Sequence, residues 1–395
     1  MSNNLHAQAI RAHLADWGLR EFVSDEAYFA WQRERLSPTV LEELATRVEH
    51  KRRGHRADEI AFYDLTARPD ILPVLYSQRY HYYCEVSRRV AGAIGSVATV
   101  LDIGCGIGML TTFYARQFPH IAFVGIDRSP SSLAIAEAKA KELGLRNIRF
   151  ECRDIEEAPV AGTYDAVVAT HALMQAEFDP GIPSAGWRTF ERGREPERQA
   201  AFEARTGLAL RLDRLDAVAH DRTRLIVFEK TRQLARRVPF QRALAARGWS
   251  QTAHPEPVRY REVEDFTDDG PLYVLAKQPS VPVVWDEQPE TDDGPVFTRE
   301  CLDAPGVSAD GPLYENHFLS AQAAWESLPD RVVREEVTRQ EPDGRQLHVE
   351  FGTLGSCDYL YCANTFDQRQ LIVVAADHTP MIESYYREIL AGEGV

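Results

Sequence analysis

Hydrophobic residues follow two patterns over the first three quarters of the chain. In residues 1–92 they recur at helical spacing, and the segments at 37–50 and 70–95 each open with a capping Ser or Asp and a nearby proline. From 97 to 278, short apolar runs alternate with helical stretches, which is typical of an α/β domain with a parallel sheet. The predicted strands are the runs at 98–104, 121–127, 148–154, 164–170, 223–229 and 271–277.

The last hundred residues change pattern. Residues 279–298 are rich in proline and acidic residues, which predicts a linker. Beyond it, 313–329 predicts a helix, and the turn sequence EPDG joins the first two of four strand-like runs. These antiparallel strands and a closing helix are predicted at 331–340, 345–355, 357–367, 369–377 and 381–390. We therefore predict four segments: an N-terminal helical cap at 1–92, an α/β domain at 93–278, a linker at 279–298 and a small α+β accessory domain at 299–395.

Composition limits the partners of the chain. Its 395 residues are 44% hydrophobic and 27% charged, as in ordinary globular proteins. A formal net charge of −15 argues against binding to nucleic acid or to an anionic membrane. The sequence contains neither a run of eighteen apolar residues nor a secretion-type N-terminus. Six scattered cysteines without a CxxC pair indicate reduced thiols, so we expect a cytoplasmic protein that does not bind membranes.

The stretch VLDIGCGIG, residues 100–108, has the strongest chemical signal in the chain. Asp102 precedes three alternating glycines, Gly104, Gly106 and Gly108. A strand that enters a glycine-rich turn and then a helix places a ligand at the N-terminus of that helix. A carboxylate at this place would repel a pyrophosphate and attract a cation. S-adenosylmethionine fits, because this nucleoside has a sulfonium and an ammonium but no phosphate.

The ends of the next three predicted strands carry matching chemistry. Asp127 ends the second strand and can accept hydrogen bonds from both ribose hydroxyls. Asp154 ends the third strand and can hold the adenine amino group, while Ile155 packs on the ring. Thr170 and His171 end the fourth strand. Four strand ends of this kind are far more specific than one glycine motif.

The sequence resembles the class I S-adenosylmethionine-dependent methyltransferases over residues 97–278. VLDIGCGIG resembles their first motif, VGIDRS their ribose acid, CRDIEE their adenine acid and YDAVVATHAL their fourth strand. The resemblance implies a seven-stranded, mostly parallel Rossmann-like sheet whose last strand, at 271–277, is antiparallel. It also implies S-adenosyl-L-methionine as cofactor. The predicted cofactor-binding residues are Arg79, Asp102, Gly104, Cys105, Gly106, Gly108, Asp127, Arg128, Asp154, Ile155 and Thr170.

The sequence lacks the motifs that identify methyltransferases of particular substrates. An N-P-P-Y type sequence after the fourth strand is replaced by THALM, and the paired glutamates of protein arginine methyltransferases are absent. We therefore predict methyl transfer to an O, N or C nucleophile of a small molecule, in secondary metabolism. The acceptor would bind beneath a cap built from the N-terminal helices and an insertion at 175–200. Two alternatives stay open: a non-methylating enzyme that uses the sulfonium for intramolecular cyclisation, and a non-catalytic cofactor-binding or interaction protein.

Two residues are candidates for catalysis. His171 can act as a general base, position the substrate or cofactor, or only pack. Tyr80 shares a predicted helix face with Tyr76, Arg79 and Tyr83, and such an aromatic stripe can also be core packing. On this face, Arg79 can pair with the cofactor carboxylate or an acidic substrate.

The sequence predicts no metal site. His81 and Cys84 have the spacing of half a site, and without a second half nearby we interpret them as structural. The C-terminal module offers no chemical motif. We expect it to serve in homodimerisation or in covering the active site rather than in a second activity.

Overall fold

The computed structural model describes residues 2–52, 56–174, 179–278, 283–290, 292, 294–303 and 311–392. Residues 175–178 of the predicted insertion and residues 279–282, 291 and 293 of the predicted linker lie outside the described residues. Among the helices that are described, none combines the length and the apolar content needed to cross a bilayer.

The described helices are α1 (Ser2–Asp16), α2 (Asp25–Arg35), α3 (Pro38–Arg52), α4 (Arg56–Thr66), α5 (Leu72–Gln78), α6 (Tyr80–Ile94), α7 (Met109–Gln117), α8 (Pro130–Glu142), α9 (Pro196–Arg205), α10 (Leu208–Ala217), α11 (Leu234–Ala246), α12 (Glu300–Asp303), α13 (Phe318–Ser327) and α14 (Thr379–Ala391). The described strands are β1 (Thr99–Ile103), β2 (Ala122–Asp127), β3 (Ile148–Cys152), β4 (Tyr164–Thr170), β5 (Ala219–Phe228), β6 (Ser250–Gln251), β7 (Glu256–Glu262), β8 (Asp265–Ala276), β9 (Tyr314–His317), β10 (Arg331–Gln340), β11 (Gln346–Leu354), β12 (Cys357–Asn364) and β13 (Arg369–Ala375).

The chain forms two compact units. The first unit is made of Met1–Asp179, Ala200–Arg232 and Phe240–Trp285. The second is made of Pro180–Gln199, Gln233–Pro239 and Asp286–Val395. The N-terminal helices therefore belong to the same compact unit as the α/β sheet.

The first unit contains the predicted α/β sheet, with the order β3-β2-β1-β4-β5-β8-β6. Neighbouring strands from β3 to β5 are parallel, and β8 is antiparallel to β5, as predicted. The α/β fold with a mostly parallel sheet is confirmed.

The expected number of seven strands is wrong, because eight are present among the described residues. Six of the strands were located from the sequence, and the two that were missed are the two-residue strand β6 and β7, which forms a hairpin with the first half of β8. That half of β8 extends past β5, so its backbone groups need another partner. The hairpin escaped prediction because its turn uses Val263 at φ 57°, where glycine or asparagine is usual.

The helix predicted at 70–95 is interrupted at Arg79, which separates α5 from α6. Arg79 has φ −100° and ψ 26°, and its amide donates to the Tyr76 carbonyl three residues back. Its guanidinium lies 3.2 Å from the Tyr260 hydroxyl and 3.2 Å from the Glu262 carboxylate, both on the missed hairpin. The interruption coincides with this long-range contact, which no local pattern predicts.

The N-terminal helices complete the core of the first unit. Leu14 of α1 and Val86 of α6 are fully buried in one cluster with Phe113 of α7. His13 is also buried, and its Nε2 lies 2.9 Å from the Met109 carbonyl at the start of α7. Helix α1 is thereby tied to the helix that follows the glycine turn.

The second unit contains an antiparallel sheet with the order β10-β11-β12-β13-β9. The four predicted strands are confirmed. The predicted start of the preceding helix is wrong, because residues 314–317 form β9 and α13 begins only at Phe318. These four residues alternate between buried and exposed and supply a backbone partner for β13.

We expect the Leu14→Ala variant to lose about 2–5 kcal/mol of unfolding free energy, because it removes a fully buried side chain. Leu210→Ala, at a position 42% exposed in the same unit, is the matched control and should change little. Urea denaturation of both variants measures the difference. If Leu14→Ala unfolds at the urea concentration of the parent, α1 is not part of the core.

Candidate active site

The glycine turn joins β1 to α7 and uses three residues with positive φ. Gly104, Gly106 and Gly108 have φ of 69°, 54° and 74°, values that favour glycine. A Cβ at Gly104 would lie 2.7 Å from the Ala172 Cβ, and one at Gly108 would lie 2.7 Å from the Ala136 Cβ. A Cβ at Gly106 would meet nothing within 4 Å. Two of the glycines therefore permit close packing, and Gly106 borders open space that a ligand can enter.

The end of β2 holds this turn in place. The amides of Gly104 and Cys105 both donate to the Ile126 carbonyl, at 2.9 and 3.0 Å. Asp127 Oδ2 accepts from the Gly106 amide at 2.8 Å, and Oδ1 accepts from the Ser129 amide at 2.8 Å. Burial raises the pKa of the Cys105 thiol well above its usual range, so this side chain is no nucleophile at neutral pH.

Two carboxylates flank the turn. Asp102 is buried, and its Oδ2 accepts from the Thr111 hydroxyl at 2.6 Å. Burial, and to a smaller extent the nearby charge of Asp127, raise the pKa of Asp102 to about 7 although the Thr111 hydrogen bond lowers it. Burial also raises the pKa of Asp127. A cationic ligand at this place would stabilise the ionised form of both acids.

Helix α4 lies against the ends of β2 and β3 through polar contacts. Asp154, whose side chain is 6% exposed, has its Oδ2 2.9 Å from Arg56 Nε and 3.9 Å from Arg128. Arg128 pairs with Glu59, and the Ser129 hydroxyl donates to Asp64 at 2.7 Å. The predicted adenine acid therefore has Arg56 of α4 as a partner.

Ile155 follows Asp154 and is buried, as a residue that packs on a ligand ring would be. Arg128, predicted to bind cofactor, forms ion pairs across the same edge, and its side chain is 16% exposed. Thr170 ends β4 opposite Phe228 of β5, and its side chain hydrogen-bonds Tyr82. The predicted residues of the first four strand ends thus lie along one edge of the sheet, where parallel α/β sheets bind ligands.

His171 follows β4 in a left-handed conformation, with φ 53°. Its amide donates to the Phe228 carbonyl at 2.7 Å, and its ring lies between Tyr82 and Phe228, at centroid distances of 5.5 and 4.9 Å. Nε2 is 3.4 Å from the Asp269 carboxylate. Burial, and then the nearby Arg79 guanidinium, lower the pKa of His171 well below its usual range. The imidazole is therefore neutral at pH 7.

Glu229 is a residue of this edge to which the sequence prediction gave no role. It follows β5, is buried, and its Oε1 accepts from the amides of Ala172 and Leu173 at 2.8 and 2.7 Å. Burial raises its pKa to about 7. Glu229 fixes the backbone that follows His171. The available signal was an acid at the end of the predicted fifth strand, at the same edge of the sheet as the ends of the first four strands.

The structure brings Arg79 to His171 but places Tyr80 elsewhere. Arg79 lies 4.1 Å above the Tyr82 ring. Tyr80 is buried beside His81 and faces Cys84, and burial raises its pKa to about 12. Tyr82 rather than Tyr80 joins the group around His171.

The β7–β8 hairpin supplies the remaining side chains of this group. The Tyr260 hydroxyl donates to Asp269 and receives a hydrogen bond from Arg79, and Glu262 pairs with the same guanidinium. Arg79 and Tyr260 are 181 residues apart in sequence, so no local spacing indicates their contact. We name Tyr82, His171, Phe228, Tyr260 and Asp269 the His171 cluster.

A parallel sheet with an open glycine turn after its first strand and an acid after its second defines a nucleoside-binding, Rossmann-like domain. The family described as "Methyltransferase domain" matches residues 94–183. The chain thus carries a class I S-adenosylmethionine-dependent methyltransferase domain, whose cofactor is S-adenosylmethionine.

The chain is similar to methyltransferases that have different substrates. Trans-aconitate 2-methyltransferase of Deinococcus radiodurans is 34% identical over 96 residues, 24% of this chain and 35% of that protein. Malonyl-(acyl-carrier protein) O-methyltransferase of Acetivibrio thermocellus is 30% identical over 101 residues, again 24% and 35%. The chain spans about a third of the length of these curated relatives. A solved structure, magnesium protoporphyrin IX methyltransferase of Synechocystis PCC 6803 with bound SAM, has 19% identity and a TM-score of 0.36, covering 51% of this chain and 84% of that one.

We expect the affinity for S-adenosylmethionine to rise with pH between about 5.5 and 7.5. A cation beside Asp102 lowers the pKa of this acid from about 7, so binding releases a proton below that pH. The affinity should therefore change by up to about tenfold per pH unit in this window. Calorimetry across the pH range measures it.

Asp102→Asn is the reference variant for this experiment. The cofactor has an amino group that also titrates, and its effect on affinity is the same for the parent and the variant. The parent should show the additional pH dependence and the Asn variant should not. Equal pH profiles for the two proteins would show that Asp102 does not sense the ligand charge.

Proposed function

We propose that the protein transfers the methyl group of S-adenosylmethionine to an O, N or C nucleophile of a small molecule. The observation that carries the proposal is the turn at Gly106, which is open to a ligand and flanked by Asp102 and Asp127. When bound, S-adenosylmethionine supplies a methyl group activated by the positive charge of its sulfur. Two ionisable carboxyls suit such a cationic nucleoside and oppose a phosphate.

Asp127 would hold the ribose of the cofactor. Each of its oxygens accepts one backbone amide, and each carboxylate oxygen has capacity for a second donor. The carboxylate can therefore keep the glycine turn in place and receive two hydroxyls at once. To bind adenine, Asp154 would have to give up its ion pair with Arg56. The Arg56 guanidinium also pairs with Glu157, so it would keep one partner when Asp154 turns to the ligand.

The acceptor would bind at the His171 cluster. Tyr82, Phe228 and Tyr260 are buried aromatic residues of this cluster, and the imidazole among them is neutral and has a side chain that is 18% exposed. Aromatic walls with few polar groups are typical of small-molecule sites. The net charge of −15 opposes a nucleic-acid acceptor. Of the two relatives described above, one is named for a small acid, trans-aconitate, and the other for a malonyl group on an acyl-carrier protein.

His171 is the candidate general base of the cluster. A neutral imidazole can take the proton of a hydroxyl or ammonium acceptor, and Asp269 at 3.4 Å would stabilise the imidazolium that forms. Glu229 acts as a positioning residue, since it holds the amides of the two residues after His171.

We expect Asp127→Asn to bind S-adenosylmethionine at least tenfold more weakly, because each hydrogen bond to the charged acid contributes about 1.5–3 kcal/mol. Asp165→Asn is the matched control. Asp165 also accepts two backbone amides, from Ala98 and Thr99, but lies at the opposite end of the sheet. Calorimetry should show parent affinity for Asp165→Asn, and unchanged binding by Asp127→Asn would exclude Asp127 as a cofactor residue.

We expect His171→Asn to lower turnover by about 10²–10⁴ while cofactor affinity is retained, because Asn cannot act as a base at pH 7. Asn is suitable here since it tolerates the left-handed backbone of His171. Acceptors are found by mass spectrometry as metabolites that gain one methyl group. Turnover is then followed as S-adenosylhomocysteine, and methylthioadenosine instead would indicate cyclisation. Activity within threefold of the parent from about pH 6 to 9 rejects the base role.

A further inference from the structure

Three side chains of the second unit, Glu336, His348 and Glu350, meet on one face of the β10–β11 pair. Glu336 lies directly opposite Glu350, and Thr338 lies directly opposite His348. Alternate residues of a strand share a face, so the two acids and the imidazole are neighbours. One ligand atom from each of the three lies within 4.8 Å of the others.

Two carboxylates that face each other across a ladder repel, and one of them is buried. Glu350 is 3% exposed. Its Oε1 accepts from Trp325 Nε1 at 3.0 Å and from the Tyr359 hydroxyl at 2.6 Å, and Arg331 approaches the same oxygen at 3.9 Å. Its Oε2 faces His348. Like charges directly opposite destabilise an antiparallel pair unless a cation lies between them.

His348 is fully buried, and its orientation is fixed. Its Nδ1 is 2.9 Å from the Thr338 hydroxyl, and the Trp187 ring stacks on it at 3.5 Å. Its Nε2 has no hydrogen-bond partner among the described residues and stands 3.9 Å from Glu350 Oε2. That separation is too long for a hydrogen bond. When Nδ1–H donates to Thr338, a nitrogen lone pair and a carboxylate oxygen face each other in a buried site.

We propose that Glu336, His348 and Glu350 bind a divalent metal ion of the zinc type. Imidazole nitrogen and carboxylate oxygen bind zinc at about 2.0–2.2 Å with near-tetrahedral angles, so two ligands of one ion stand about 3.3–3.6 Å apart. Glu350 Oε2, at 3.9 Å from Nε2, needs only a small shift to reach that spacing. Glu336 Oε1 stands 3.8 Å from Nδ1, and its exposed side chain has to turn toward Nε2 to complete the ligand set. The contacts of Thr338 with His348, and of Trp325 and Tyr359 with Glu350, orient the ligands as the outer hydrogen bonds of metal sites do. The Glu336 side chain is 49% exposed, which gives the ion a route from solvent and leaves room for water ligands.

This site does not depend on the proposed methyl transfer, and the sequence did not indicate it. The three ligands lie on two strands of a module without a metal-binding spacing, and only the strand register brings them together. The imidazole distinguishes the site from a magnesium or calcium site, since those ions prefer oxygen ligands.

The test is zinc binding by the full chain after treatment with a chelator, measured by calorimetry with zinc chloride alone. Glu336→Gln replaces the exposed ligand, and we expect at least tenfold weaker zinc binding with an unchanged circular dichroism spectrum. Glu335→Gln is the control: Glu335 neighbours Glu336 but contacts Tyr386 on the other face, and this variant should bind as the parent does.

X-ray absorption of the zinc-loaded protein provides an independent readout. We expect nitrogen and oxygen ligands with one imidazole and no sulfur. Parent-like zinc affinity in Glu336→Gln, or sulfur ligation by a cysteine, would overturn the proposal. So would magnesium or calcium binding of equal strength at this site.

Discussion

The methyltransferase domain depends on one carboxylate that bonds two backbone segments. Asp127 ends β2 and accepts the amides of Gly106 in the first turn and Ser129 at the start of α8. The glycines let the turn adopt left-handed angles, but glycine alone does not select one conformation. Asp127 selects it. The same acid therefore shapes the turn and faces the place where the proposed cofactor binds.

The candidate site gathers residues from distant parts of the chain around this turn. The strand ends contribute Thr170, His171 and Glu229, while α4 and the junction of α5 and α6 contribute Arg56 and Arg79. The β7–β8 hairpin closes the His171 cluster with Tyr260 and Asp269. The N-terminal helices pack into the core of the same unit and bring Arg56 and Arg79 to this edge of the sheet.

Short sequence motifs predicted the features that depend on residues close together in the chain. The acids at 102, 127 and 154 were predictable because each lies within two residues of the end of a strand, and the ends of parallel strands meet at one edge. The pair of Asp154 with Arg56 and the contact of Arg79 with Tyr260 join segments far apart, and spacing within one segment does not indicate such contacts. Tyr76 and Tyr83 of the predicted helix face still stack on each other, but Tyr82 and not Tyr80 lies beside His171. For the cofactor roles and for the homodimer, the sequence arguments stay predictions.

The buried carboxyls of Asp102 and Glu229 lower the free energy of unfolding at neutral pH. Both carboxyls have pKa values of about 7 when folded, far above the usual range of unfolded acids. The folded chain therefore holds protons that the unfolded chain has lost, and the free energy of unfolding falls as pH rises from about 4 to about 7. Each unit of pKa difference corresponds to about 1.4 kcal/mol. A cation bound beside Asp102 stabilises the ionised carboxylate and recovers part of this free energy of unfolding. The ligand therefore stabilises the fold at neutral pH.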